Sequence, residues 1–363
     1  MNIADTDLPA RAAAGDARLT RGEIARLIEW PDAQALYAAA YETKTRKVGR
    51  RVALRGLVEF SNVCVKNCFY CGIRRDNSAV KRYTMRREEI VAAAKWAFEA
   101  GYGSVVLQSG ERSDEAFAGF VEDVLHEIHS FAGDSLGVTL SLGEQTPETY
   151  ARWKAAGAHR YLLRIETSNP RLYAKLHPAD HSWEARRDCL RALKNLGYCT
   201  GSGVMCALPG QTAEDLAADI EFFAEEDLDM IGMGPYIPHP GTPMGADAGI
   251  LSKEDRARRL ELGLRMIAAT RLALGGVNIA AATALQALDP EGREKGLLAG
   301  ANVVMPNITA REYRADYSLY EGKPCLGEDA VQCRGCIERR IASIGETVAK
   351  GERGDPPHWK ERQ

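Results

Sequence analysis

Nowhere in this sequence do about 18 consecutive apolar residues occur, so no segment reads as a membrane-spanning helix. The opening stretch, MNIADTDLPARAAAGDARLTRGEIARLIEW, lacks a basic segment followed by an apolar run, and a cytoplasmic location is expected, with no membrane partner. Neither charge sign dominates: 47 Lys and Arg against 50 Asp and Glu leave a formal net charge of -3, which gives no polyanion-binding surface, and nucleic acid is not an expected partner. Internal repeats, low-complexity tracts and linker-like stretches are missing too. A disulfide framework is also disfavoured, because nine cysteines are an odd number and a reducing compartment is expected. Those thiols are read instead as metal ligands, redox groups or buried packing.

What the sequence does have is alternation. After an amino-terminal helical stretch at about 20 to 48, with TRGE as a capping box, eight strand candidates take turns with amphipathic helical segments. The strands are VALRGLVEF, SVVLQSG, GVTLSLG, RYLLRIET, TGSGVMCAL, DMIGMGPYI, VNIAAATAL and NVVMPNIT. Repeated strand, helix, strand order implies parallel pairing, and eight such units in 363 residues fit an α/β fold, a complete (βα)8 TIM barrel. A doubly wound open sheet is the competing architecture. The expected organisation is an amino-terminal helical extension (1–49), the barrel (50–309) and a carboxyl-terminal extension (310–363).

In such a barrel, chemistry belongs at the carboxyl ends of the strands. There, directly after the first strand, stands FSNVCVKNCFYCGIRRDN, with Cys64, Cys68 and Cys71 in a C-x3-C-x2-C spacing. A tetrahedral zinc site wants four ligands, and the nearest histidine downstream is His126. A 4Fe-4S cluster on three thiolates keeps one iron open to a small chelating molecule. Zinc with a distant fourth ligand and three cysteines in an ordinary loop are the competing readings. Cys325, Cys333 and Cys336 form a second group near the carboxyl end, able to hold metal or to act as a redox-sensitive set, whereas Cys189, Cys199 and Cys206 sit in apolar surroundings as small hydrophobes.

Other strand ends carry polar groups. LQSGE (107–111) closes the second strand, which is ordinary turn chemistry as a bare pattern. Arg160, Arg164 and Glu166 recur at period two in the fourth, which on a barrel strand places all three on one face. Outward they would meet apolar helix packing, so an interior site with a charged ligand is expected, against self-paired structural charges. Thr139 and Ser141 share a face, and Thr283 interrupts the small apolar run of the seventh strand.

The cysteine spacing with Tyr70 before the third thiol resembles the signature of radical S-adenosylmethionine (SAM) enzymes. That resemblance implies a reduced 4Fe-4S cluster that cleaves SAM to a 5'-deoxyadenosyl radical, oxygen sensitivity, and backbone acceptors for the SAM amino group in LQSGE. The blocks FSNVCVKNCFYCGIRRDN, LQSGE, TLSLGE, RYLLRIETSNP, LPGQT, GMGPYIPHPGTP and GANVVMPN together resemble the HydE family of FeFe-hydrogenase maturases, from about residue 20 to 345. This implies a step in assembly of the H-cluster, on a cysteine-bound iron carbonyl cyanide complex, alongside the maturases HydG and HydF and an electron donor such as ferredoxin or flavodoxin. It also implies cluster ligation by Cys64, Cys68 and Cys71, and SAM binding by Tyr70, Gln108, Ser109, Gly110, Glu111, Arg164, Glu166 and Arg186. Thr139, Ser141, Arg160, Thr283, Met305 and Tyr317 match substrate-cavity positions, and Cys325, Cys333 and Cys336 match an accessory cluster site. From its sequence alone Arg186 would be a solvated helix residue. Ile165 and Ala282 depart from the pattern, standing where some relatives have histidine and threonine. Biotin synthase and 3-methylornithine synthase share the implied barrel and cluster loop and are the nearest alternatives, biotin synthase requiring a second cluster in the lumen that Cys199 and Cys206, of opposite strand parity, do not suit. A noncatalytic metal-binding assembly scaffold is the alternative of another class.

Overall fold

The computed structural model describes residues 7–15 and 18–363, so the readings that fall on residues 1–6 and 16–17 lie outside the described residues. Eight parallel strands form the centre: β1 (Arg51–Ser61), β2 (Ser104–Ser109), β3 (Gly137–Ser141), β4 (Ala158–Leu162), β5 (Cys199–Ser202), β6 (Met230–Ile231), β7 (Asn278–Ile279) and β8 (Val303–Val304). Each pairs with the next up to β7, and β8 returns to β1 with Ala53 opposite Val303 and Leu54 opposite Val304. An Ala280–Val303 bridge closes the last gap, supported by Ala281 N–H donating to the Val303 carbonyl and Asn302 N–H to that of Ile279, both at 2.9 Å. A closed ring has no edge, which rules out the open doubly wound sheet.

The sequence forms this ring because the strands are buried on both faces and the helices around them bury one. β1 is buried along its whole length apart from Arg51, as a strand between lumen and helix layer must be. The helix Glu115–Ala132 is started by Asp114, whose carboxylate accepts from Phe117 N–H, and it turns Phe117, Val121, Val124, Leu125 and Ile128 inward. Before the barrel lie the helices Leu8–Ala14, Arg21–Ile28 and Ala33–Lys47, and Thr20 with Glu23 makes the expected capping box. The third helix is tied to the carboxyl-terminal region by Lys44 and Glu346, both side chains fully buried, with Nζ 2.6 Å from Oε1. Beyond the barrel come the helix Ala330–Ser343 and a short strand, Thr347–Val348, paired on the start of β1.

Four details differ from the sequence reading. The fourth strand ends at Leu162, and Glu166 has φ of +66°, so period-two alternation does not carry through Arg164 to Glu166. The fifth and sixth strands each break and resume, as Met205–Cys206 and Gly234–Pro235, which pair with one another. The break falls at Gly203, where a Cβ would collide with the Gly232 carbonyl. Thr283 is not on a strand: it opens the helix Thr283–Leu288, because β7 covers only Asn278–Ile279.

Candidate active site

From the end of β1 the chain leaves as a loop of about 22 residues whose stem is closed by an antiparallel Ser61–Thr84 bridge and by Met85 N–H donating to the Phe60 carbonyl at 2.8 Å. Cys64, Cys68 and Cys71 lie on this loop, half-buried and free of disulfides. The end of β2 is pressed onto it. Gly110 N–H donates to the Ser61 carbonyl at 2.8 Å, Glu111 N–H donates to Cys64 Sγ at 3.3 Å, and any side chain at Gly110 would collide with the Val63 carbonyl. The LQSGE segment is therefore glycine-dependent because two backbones meet there. Burial pushes all three thiols up, Cys68 to about 12 and Cys71 well above the ordinary range, while backbone N–H groups of Glu111 and Lys66 oppose the rise at Cys64. Such thiols stay protonated until a metal displaces the proton. Among the described residues no three His, Cys, Asp or Glu side chains converge as ligands of one ion. Thiolates on separate corners of a 4Fe-4S cube need not converge in that way.

Beside the loop lies a network of four charges, Arg186 and Glu111 buried and Lys66 and Glu144 half-buried. Arg186 is 7% exposed, which overturns its reading as a solvated helix residue. Its Nε reaches Glu144 at 2.7 Å, its Nη2 lies 3.4 Å from Glu111, and its Nη1 donates to the Arg164 carbonyl at 3.1 Å. Lys66, from the cysteine loop, reaches Glu144 at 2.8 Å and Glu111 at 3.3 Å. Burial raises the Glu111 carboxyl against the pull of Arg186. At Glu144 burial also acts upward, but Arg186 and Lys66 outweigh it and hold that carboxyl below its usual range. Neither Lys66 nor Glu144 stands out in the sequence, although they lie inside FSNVCVKNCFYC and TLSLGE. Their signal is position, on the loop after β1 and just past the end of β3.

Next to this network, hydrogen-bonding capacity is left unused. Arg164 Nη2 and Glu166 Oε2 stand 2.9 Å apart, attracted as ions but without hydrogen-bond alignment, and both atoms are buried without a hydrogen-bond partner. The Thr139 hydroxyl is buried and unpartnered as well. Gln108 Nε2 donates to the Tyr317 hydroxyl at 3.2 Å, and Tyr317 is buried. Ser141 and Met305 are half-buried at the ends of β3 and β8. The Tyr70 hydroxyl is engaged elsewhere, 3.3 Å from His177 Nε2. Cationic, anionic and hydroxyl groups with unused hydrogen-bonding atoms, close to three half-buried thiols, suit a zwitterionic ligand held next to a cluster.

Two expected members stand apart. Arg160 does point into the lumen, but its guanidinium runs to the opposite mouth, with the Ser104 hydroxyl at 3.0 Å, the Arg353 carbonyl at 2.5 Å and the Asp355 carboxylate as partners. Its reading as a substrate-cavity residue is corrected: parity fixed the face, whereas its place early in β4 fixed the end. The Thr283 hydroxyl accepts from Arg293 at 2.9 Å and is already engaged. The second cysteine group lies outside the ring. Cys333 and Cys336 share one face of the helix Ala330–Ser343, and Cys325, with φ of +64°, precedes it beside Gln286.

A family profile described as the Radical SAM superfamily matches residues 58–223. The [FeFe] hydrogenase maturase subunit HydE of Thermotoga maritima is 47% identical over 312 residues, which cover 86% of each chain. This chain belongs to the HydE family of radical SAM enzymes. Members of the superfamily use a 4Fe-4S cluster and SAM, and the three-thiol loop of this HydE-family chain supplies donors of the right chemistry. The 3-methylornithine synthase of Methanosarcina acetivorans is more distant, 27% identical over 292 residues and 78% of each chain. The crystal structure of methylornithine synthase (PylB) superposes with a TM-score of 0.78 at 25% identity, over 95% of this chain and 98% of that one. The barrel is thus shared across reactions, and the HydE-family assignment rests on sequence identity. Among the described residues no helix is long and apolar enough to cross a membrane.

Proposed function

We propose that this chain performs the HydE step of FeFe-hydrogenase maturation, with residues 50–309 as its catalytic barrel and 1–49 and 310–363 as extensions. The reading is carried by one observation: identity to a hydrogenase maturase is 47%, against 27% to a methylornithine synthase of similar coverage. The substrate is a cysteine-bound iron carbonyl cyanide complex delivered by HydG, attacked at sulfur, with HydF as a further partner in assembly and ferredoxin or flavodoxin as the reductant.

In this account Cys64, Cys68 and Cys71 hold the cluster and leave one iron without a protein ligand. Bound there, the cluster and SAM would supply 5'-deoxyadenosyl radical chemistry. The chain's own groups bind and orient. The strand-end backbone of Gln108, Ser109, Gly110 and Glu111 and the loop around Tyr70 face the cosubstrate, and the unused atoms of Arg164 and Glu166 offer it opposite charges. Arg186 keeps Glu111 and Glu144 from repelling one another and so holds the β2 and β3 ends at a fixed separation. Thr139, Ser141, Met305 and Tyr317 line the space above, and the buried Thr139 and Tyr317 help to keep water from the reacting atoms. The second group, Cys325, Cys333 and Cys336, holds an accessory cluster that does not cleave SAM.

A defined maturation mixture tests this directly. Apo-hydrogenase should become active when this protein replaces HydE in the mixture. Failure there, together with methylornithine formation from lysine, moves the assignment to the methylornithine synthase reaction.

A further inference from the structure

The cysteine loop has almost no regular secondary structure, so its shape must come from side chains. One side chain dominates. Arg82, on the returning limb, donates through Nη1 to the carbonyls of Asn62 at 2.7 Å and Ile73 at 2.8 Å. Through Nη2 it donates to those of Arg74 at 2.6 Å, Arg75 at 3.2 Å and Asn77 at 3.3 Å. These acceptors flank the thiols, Asn62 before Cys64 and the rest just after Cys71. Two neighbours extend the lattice: Asn62 Nδ2 donates to the Lys81 carbonyl at 2.8 Å, and Asn77 Nδ2 to that of Gly72 at 2.6 Å. A planar guanidinium with five N–H groups in a fixed fork matches a ring of carbonyls, which a lysine ammonium cannot reproduce. Among the described residues no carboxylate comes within ion-pair distance of Arg82, so its charge is directed at the loop and not neutralised by a neighbour.

We propose that Arg82 is the positioning residue of the cluster loop: its fork sets the spacing of Cys64, Cys68 and Cys71, and its charge favours the reduced state of what they hold. The fork brings together carbonyls on both sides of the three thiols, which would otherwise repel as aligned dipoles and open the loop. Reduction adds negative charge, and a fixed cation nearby lowers the cost of that step. This inference rests on the cluster assignment made above.

The test compares anaerobically reconstituted wild type with Arg82→Gln, Arg82→Lys and Arg75→Gln, the last removing a charge from the exposed outside of the same loop. Circular dichroism of the apo-proteins checks that the barrel is retained. The readouts are iron per chain, the rate of iron loss to a chelator and the midpoint of a redox titration followed by electron paramagnetic resonance. Arg82→Gln is expected to lose iron at least about 10-fold faster than wild type, as loss of a metal-site support does, and to titrate at a lower potential. Arg82→Lys should recover the potential but not the retention, and Arg75→Gln should behave as wild type. If Arg82→Gln keeps its barrel but takes up no iron, positioning is supported and Arg82→Lys carries the potential measurement. Wild-type retention and potential in Arg82→Gln, or equal losses in Arg75→Gln, overturn the clamp. If wild type itself takes up no cluster, the cluster assignment fails and the clamp with it.

Discussion

Both mouths of the barrel bury charged side chains, yet they treat them differently. At the amino-terminal mouth the chain supplies its own partners. Residues 351–363 pass beneath the strands, so close that a Cβ on Gly103 would collide with the Glu352 carbonyl, and they bring Asp355 to Arg160 and to His159 at 2.8 Å. Arg362 reaches Asp229 at 2.7 Å, and Asn278 Nδ2 donates to the Gly354 carbonyl at 2.7 Å. What stays unpaired there is a few single Nε atoms of arginines otherwise engaged. Arg55 is the weakest case, held by Met230 Sδ at 2.9 Å and a distant carbonyl, and burial lowers its pKa to about 9. At the carboxyl-terminal mouth Arg164 Nε and Nη2 and Glu166 Oε2 are left without hydrogen-bond partners, although the two side chains face each other as an ion pair at 2.9 Å. Charge in a barrel therefore does not mark a ligand site. Charge that leaves much of its hydrogen-bonding capacity unused does.

Substitutions at the two mouths should separate along this line. The largest effect is expected at the cluster loop: Cys71→Ala should reduce 5'-deoxyadenosine formation to background while the apo-protein melts near the wild-type temperature. Arg186→Gln comes next. It leaves Glu111 and the half-buried Glu144 with Lys66 as their remaining cation, which should cost about 3 kcal/mol in a urea titration and weaken SAM binding. Asp355→Asn should cost about 3 kcal/mol by stranding Arg160, but leave SAM affinity unchanged. A loss of SAM affinity there would break the distinction between the mouths. Smaller still is the response to pH. Burial lowers the His159 pKa to about 4, so the unfolded chain takes up this proton first as pH falls from 6.5. Apo-protein stability should thus decline between pH 6.5 and 4, and further below that as Asp355, held low by His159 and Arg160 despite burial, is protonated. His159→Gln should flatten the upper part of that decline. The smallest effect on SAM cleavage is expected from replacing Cys325, Cys333 and Cys336 together by alanine.

Much of this was legible in the sequence. Eight apolar runs set between amphipathic helices are enough to indicate a barrel, and C-x3-C-x2-C after the first of them is enough to indicate the loop. What was not legible depends on where a side chain ends up along the barrel axis. Arg160 and Arg164 are four residues apart with the same parity, yet one serves the lower closure and the other the upper site, because Asp355 arrives from nearly 200 positions away. Arg186 looked solvated because nothing local reveals that Glu111 and Glu144 come to it from two other strand ends. The later strands are shorter than their apolar runs since backbone crossings, such as Gly203 on Gly232, interrupt pairing without changing hydrophobicity. Lys66 and Glu144 stand inside the cysteine and TLSLGE motifs, where the neighbouring cysteines and serine are the more conspicuous residues.

The most direct measurement is electron paramagnetic resonance of the anaerobically reconstituted, reduced protein, recorded before and after SAM is added. The account predicts a signal from a 4Fe-4S cluster that requires Cys64, Cys68 and Cys71 and whose g-values move when SAM occupies the iron left without a protein ligand. A signal indifferent to SAM, or none above that of Cys71→Ala, would contradict it.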